Sequence, residues 1–113
     1  LRGLVFSFHG SGGSGDLPFQ KPQAIEATRL LVSRGFGIVG LDSVNRDDRQ
    51  WNPQFSTSNP DVVNVQGIID RLRTSGALSA GTPIFCEGTS NGGGFCSRIS
   101  ALLGFAGQSL MIA

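Results

Sequence analysis

The sequence predicts a three-layer α/β/α fold on a parallel sheet, with about four strands and three helices. Short apolar runs alternate along the chain with amphipathic stretches of helical period, as when crossover helices join parallel strands. The runs are also continuous rather than alternating, which suits strands covered on both faces.

The elements follow in order. Gly3 to Phe8 reads as the first strand. Helical period then runs from Pro22 to Ser33, with Ile25, Ala27, Leu30 and Leu31 near one face. Pro22 suits its first turn and Gly35 its C-terminal cap. Phe36 to Leu41 is the second strand, closed by Asp42. Residues 43–59 form a polar loop that holds Trp51 and Phe55, and loops of that length in compact domains are often functional. Asn59-Pro60-Asp61 opens the second helix with a capping side chain, a first-turn proline and an acid near the positive end. Val62, Val65, Ile69 and Leu72 give that helix one apolar stripe. Thr82 to Glu87 reads as the third strand. Asn91 to Leu103 reads as the third helix, with Phe95, Ile99, Leu102 and Leu103 inward, and Ser109 to Ala113 as a fourth strand.

At 113 residues there is room for one domain, residues 1–113. Leu1 and Ala113 both fall at or near strands, so the expectation is a partial domain cut at both ends. An apolar fraction of 39% with 15% charged residues describes a globular chain rather than a disordered one. The net charge is +1 and the nine basic residues are dispersed, which argues against a nucleic-acid surface. No apolar run approaches the length of a membrane span. Cys86 and Cys96 fall in a strand and the helix after it, without the second pair that zinc would need. That placement favours two buried free thiols over a disulfide.

Two glycine-rich turns carry the chemistry. The first, Phe6 to Gly15, reads FSFHGSGGSG, and Gly10, Gly12 and Gly15 match the G-x-G-x-x-G spacing of a dinucleotide-binding turn. Such a turn should open a helix inside the fingerprint, with a ribose-binding acid about 20 residues on. Pro18 and Pro22 push the helix downstream, and Asp42 lies 27 residues after Gly15. The second turn, Gly88-Thr89-Ser90-Asn91-Gly92, is a G-x-S-x-G pentapeptide at a strand–turn–helix junction. There a strained, small-residue turn lifts a serine hydroxyl above the sheet, and the helix behind it offers N–H groups to a developing oxyanion.

Taken together, His9-Gly10-Ser11-Gly12-Gly13 after one strand and Gly88-Thr89-Ser90-Asn91-Gly92-Gly93 after a later one resemble the α/β-hydrolase fold. GTSNGG, the helix DVVNVQGIIDRL and Trp51-Asn52 are similar to the poly(3-hydroxybutyrate) depolymerase and feruloyl esterase group. The resemblance implies a carboxylic ester hydrolase without cofactor or metal, acting on a small or polymeric ester. Ser90 would be the nucleophile and the Asn91 N–H one oxyanion donor. The Ser11 N–H would be the other, with Gly12 as its alternative. His9 and Gly10 would shape the oxyanion loop, and Gly88 and Gly92 would support the elbow. Trp51 would line a substrate pocket or, equally, cap the core. Glu87 and Asp42 read as bonded acids at strand ends.

The order of this fold is serine, then acid, then histidine. The only histidine precedes Ser90, so the base and its acid are expected beyond residue 113. The same fold would order these strands second, first, third, fourth across the sheet. Two other readings compete: a Rossmann-like NAD(P)-binding oxidoreductase using Gly10–Gly15, and a non-catalytic α/β binding module.

Overall fold

A computed structural model of the chain describes residues 1–111. The strands are β1 (Gly3–Phe8), β2 (Phe36–Leu41), β3 (Ile84–Thr89) and β4 (Gly107–Met111). The helices are α1 (Pro22–Ser33), α2 (Pro60–Thr74) and α3 (Asn91–Leu103), and a short 3-10 turn at Leu17–Phe19 precedes α1. The sheet is wholly parallel and ordered β2-β1-β3-β4. The central strand β1 pairs Phe8 with Leu41 on one side and with Gly88 on the other. The first crossover moves outward to β2 and the second returns across β1 to β3. Right-handed connections therefore put α1 on one face and α2 and α3 on the other. Among the described residues, no helix is long and apolar enough to cross a membrane.

The two faces differ in how well they are covered. Phe6, Phe8 and Cys86 point into a core closed by Val62, Val65 and Ile69 of α2 and by Phe95 and Ile99 of α3. Burying each of the large side chains contributes roughly 1.5–3 kcal/mol. On the other face α1 alone packs, and none of its residues is fully buried. Its half-buried residues are Ala24, Ile25, Thr28 and Leu31, Ala27 borders the groove toward the sheet, and Leu30, expected inward, is exposed. The Thr28 hydroxyl donates to the Pro18 carbonyl at 2.9 Å.

Helix ends follow the sequence. Asn59 Oδ1 accepts the Asp61 N–H at 2.9 Å, Asp61 sits in the first turn of α2, and Arg71 and Arg73 sit in its last. Gly35, just past α1, takes φ +90°. β3 begins two residues later than expected, after Pro83, which has no N–H for the ladder, and runs on through Gly88 and Thr89. β4 likewise begins earlier, at Gly107; residues 112 and 113 of the expected strand lie outside the described residues.

The expectation of two free thiols is corrected. Cys86 of β3 and Cys96 of α3 form a disulfide, their Cα atoms 5.9 Å apart because the helix turns straight back over its own strand. The bridge lies inside the core and encloses residues 88–92 within its loop. By the chain-entropy estimate, a loop of this size stabilises the fold by about 2–3 kcal/mol. A Cys86→Ala/Cys96→Ala double variant is therefore expected to melt several degrees below the parent. Reductant should lower the parent's Tm and leave the variant's unchanged; an equal response of the two would contradict the bridge.

Candidate active site

Gly88-Thr89-Ser90-Asn91-Gly92 spans the end of β3 and the first turn of α3. Ser90 holds φ 55° and ψ −117°, a left-handed backbone costing on the order of 1–3 kcal/mol for a residue with a Cβ. Two glycines make the turn possible. A Cβ on Gly92 would sit 2.7 Å from the Phe8 carbonyl carbon and closer still to the Phe8 and His9 oxygens. One on Gly88 would lie 2.6 Å from the Gly93 nitrogen. These neighbours are backbone and cannot swing aside, so α3 starts on the bare main chain of β1. Ser90 is exposed, and its side chain does not cap the helix it precedes. No acid sits in the first turn of α3, so nothing offsets the partial positive charge of its N-terminus.

The loop after β1 meets this turn. A Cβ on Gly10 would lie 3.3 Å from the Thr89 carbonyl oxygen and 3.9 Å from Ser90 Cβ, which puts Gly10 beside the elbow. Gly10 to Gly13 form a tight turn closed by the Gly13 N–H on the Gly10 carbonyl at 3.0 Å, with Gly12 at φ +75° in its third position. The Gly12 N–H donates to the Arg49 carbonyl at 3.3 Å. The Ser11 N–H donates to no acceptor among the described residues.

His9 is 1% exposed and both ring nitrogens are engaged. Nε2 accepts the Ser43 N–H at 3.1 Å, so Nδ1 carries the proton and donates to the Gly10 carbonyl at 2.7 Å. The ring therefore braces the loop and has no free lone pair for a substrate or for Ser90.

Of the two readings of Trp51, the structure shows the core one: at 2% exposure its ring is buried, although the residue also borders a cleft of about 240 Å³ with Asn52 and Asp61. The indole stacks on Phe95 at 4.7 Å, meets Phe8 edge-on and lies 4.7 Å from the His9 ring. Its Nε1–H donates to the His9 carbonyl at 2.8 Å, and its backbone N–H donates to Asn91 Oδ1 at 2.7 Å.

Buried side chains at the start of α2 hold the loop that carries Trp51. Asp61, 1% exposed, accepts the Val44 N–H at 2.8 Å and the Asn52 N–H at 2.6 Å. Asn59 donates to the carbonyls of Asn52 and Gln54. Sequence reasoning found these two as helix-start residues and missed their grip on the loop. The signal was an acid and an amide directly after a long polar segment.

The remaining acids divide. Asp42 accepts the Gly15 N–H at 2.8 Å and pairs with Arg46 at 3.3 Å, as an anchor should. Glu87 was expected to be bonded, but has no partner among the described residues. It faces a groove of about 310 Å³ between α1 and the sheet, with Lys21 and Thr89 also on its walls. Gly10 to Gly15 are followed by the 3-10 turn and not by a helix, α1 starts only at Pro22, and Asp42 is committed to Gly15. A pyrophosphate cradle needs the helix N-terminus that is missing here. No protein-family model matches this chain, and no curated protein matches it.

Alanine at Gly92 should destabilise the protein at the upper end of the roughly 1–3 kcal/mol that overpacking costs, because backbone must move. At Gly67, in the middle of α2 with open space around it, the same substitution should add about 0.5–1 kcal/mol through helix propensity. Paired urea melts check the opposite signs.

Proposed function

We propose that this chain supplies the nucleophile and oxyanion hole of a serine hydrolase of the α/β-hydrolase type, acting on carboxylic esters. The observation that carries the reading is Ser90 itself: a non-glycine residue at φ 55°, exposed, between the end of β3 and a helix N-terminus. Strain of that kind persists where the surroundings enforce it, and an exposed, tightly held hydroxyl is what nucleophilic catalysis needs.

In this reading Ser90 Oγ attacks the ester carbonyl carbon and the carbonyl oxygen takes the negative charge. The N–H groups of Ser11 and Asn91 donate to that oxygen, worth about 10²–10³ in rate for each donor. Collapse expels the alcohol and leaves an acyl group on Ser90, which water then removes. His9 cannot take the serine proton without surrendering its bond to Ser43, so the base comes from outside residues 1–113. For the substrate class, the reading draws on the resemblance of GTSNGG and Trp51-Asn52 to the poly(3-hydroxybutyrate) depolymerase and feruloyl esterase group.

Expressed from its complete reading frame, the protein should be labelled by a fluorophosphonate at Ser90, and Ser90→Ala should abolish both label and ester turnover. The same preparation should show no saturable NAD(P) binding. Saturable NAD(P) binding with Ser90 unlabelled would sink the hydrolase reading. Residues 1–113 alone should turn over a p-nitrophenyl ester at least about 10³-fold more slowly than the whole protein. Robust turnover by 1–113 that disappears in Ser90→Ala would return His9 to the role of base.

A further inference from the structure

We propose that Trp51 is a positioning residue for acyl transfer. It ties together the two segments that present the oxyanion donors, and so fixes the separation of the Ser11 and Asn91 N–H groups. The inference rests on the reading of Ser90 as nucleophile.

The sheet does not fix that separation by itself. The β1–β3 ladder ends at the pair Phe8 and Gly88, and both donor segments lie beyond it. One is the turn that follows His9; the other is the pair Ser90-Asn91. Trp51 is bonded to both. Its indole N–H holds the carbonyl of His9, two residues before Ser11, and its own amide N–H holds the side chain of Asn91. Neither bond uses a candidate donor, so both donors stay available.

The strut is stiff. The indole is packed against Phe8, His9 and Phe95, and the loop carrying it is pinned by Asp61 and Asn59 from below. The same loop grips the first donor segment at two more points: the Arg49 carbonyl takes the Gly12 N–H, and the Ser43 N–H bonds the His9 ring. Arg49 itself sits at φ 54° to deliver that carbonyl. Trp51 is the residue at which the grips on the two segments converge.

A part of this kind acts on the transition state. The planar ester carbonyl makes weak demands on the hole, whereas the tetrahedral oxyanion needs both donors at hydrogen-bond distance. Displacement by about 1 Å can cost on the order of 10² in rate. Loosening the strut should therefore lower kcat and leave KM nearly unchanged.

Two variants test this in the protein expressed from its complete reading frame. Trp51→Phe keeps an aromatic ring and deletes the Nε1–H. Asn91→Ala deletes the acceptor of the Trp51 amide and keeps the N–H of residue 91. Each is measured for kcat and KM on a p-nitrophenyl ester, for phosphonylation rate at Ser90, for affinity toward a trifluoromethyl ketone, and for Tm. We expect kcat and phosphonylation to fall about 10- to 100-fold, with KM within about threefold of the parent. Ketone affinity, which depends on the hemiketal oxyanion, should fall in step with kcat/KM. Folded variants that keep kcat within about twofold overturn the inference, as does a loss in KM and Tm without a selective loss of ketone affinity. If Trp51→Phe fails to fold, Asn91→Ala, whose side chain is only half-buried, decides alone. Parent protein left unlabelled at Ser90 overturns the nucleophile and this inference together; equal labelling of parent and variants overturns the strut only.

Discussion

The first turn of α3 rests directly on the backbone of β1, and the rest of the site follows from that approach. At Gly92 a single added carbon would enter the carbonyl groups of Phe8 and His9, and at Gly88 it would enter the helix. With both side chains absent, the helix drops close enough to carry its N-terminus over the junction of β1 and β3. The chain must then reverse within a residue, which forces Ser90 into the left-handed region and turns its hydroxyl to solvent. The two strands diverge from this junction, one toward β2 and one toward β4, and it is at such a switch point that open α/β sheets form their crevices.

Strain is concentrated where the loops meet. Among the described residues, the two non-glycine positions with positive φ are Ser90, beside Gly10, and Arg49, whose carbonyl accepts the Gly12 N–H. Around them the chain has placed side chains with two or three bonds each: Asp61 on Val44 and Asn52, Asn59 on Asn52, Gln54 and Asp61, His9 on Ser43 and Gly10. Buried polar groups are costly unless satisfied, and these are satisfied by loop backbone that would otherwise be orphaned. The loop at 43–59 is thereby made part of the core without regular structure of its own.

Much of this was legible in the sequence. The limits of α1, β2 and α3 and the tight turn at Ser90 depend on local period and on glycine spacing, which are written in consecutive residues; the strand order came instead from the resemblance to a known fold. What was illegible lies across distance. Cys86 and Cys96 could not be read as bonded, because their proximity comes from the helix folding back over its strand, and the spacing of ten alone does not reveal it. Thr28 turns inward to bond the Pro18 carbonyl ten positions away, a contact that the apolar period of α1 does not mark. Trp51 could be placed in the loop but not assigned a task, since its partners His9 and Asn91 are 42 and 40 positions away. Its being a lone tryptophan amid polar residues was the one local hint.

The disulfide has a consequence for how the molecule comes into being. The turn at Gly10–Gly13, Trp51 and Ser90 arrive in that order as the chain is made, and they meet only once β1, the 43–59 loop and α3 have come together. The bridge from Cys86 to Cys96 spans the point where the helix folds back across its strand, the same reversal that seats Gly92 on β1. Closing it therefore restricts the unfolded chain around the turn that holds Ser90, so the strained stretch of the fold is also the one tied covalently.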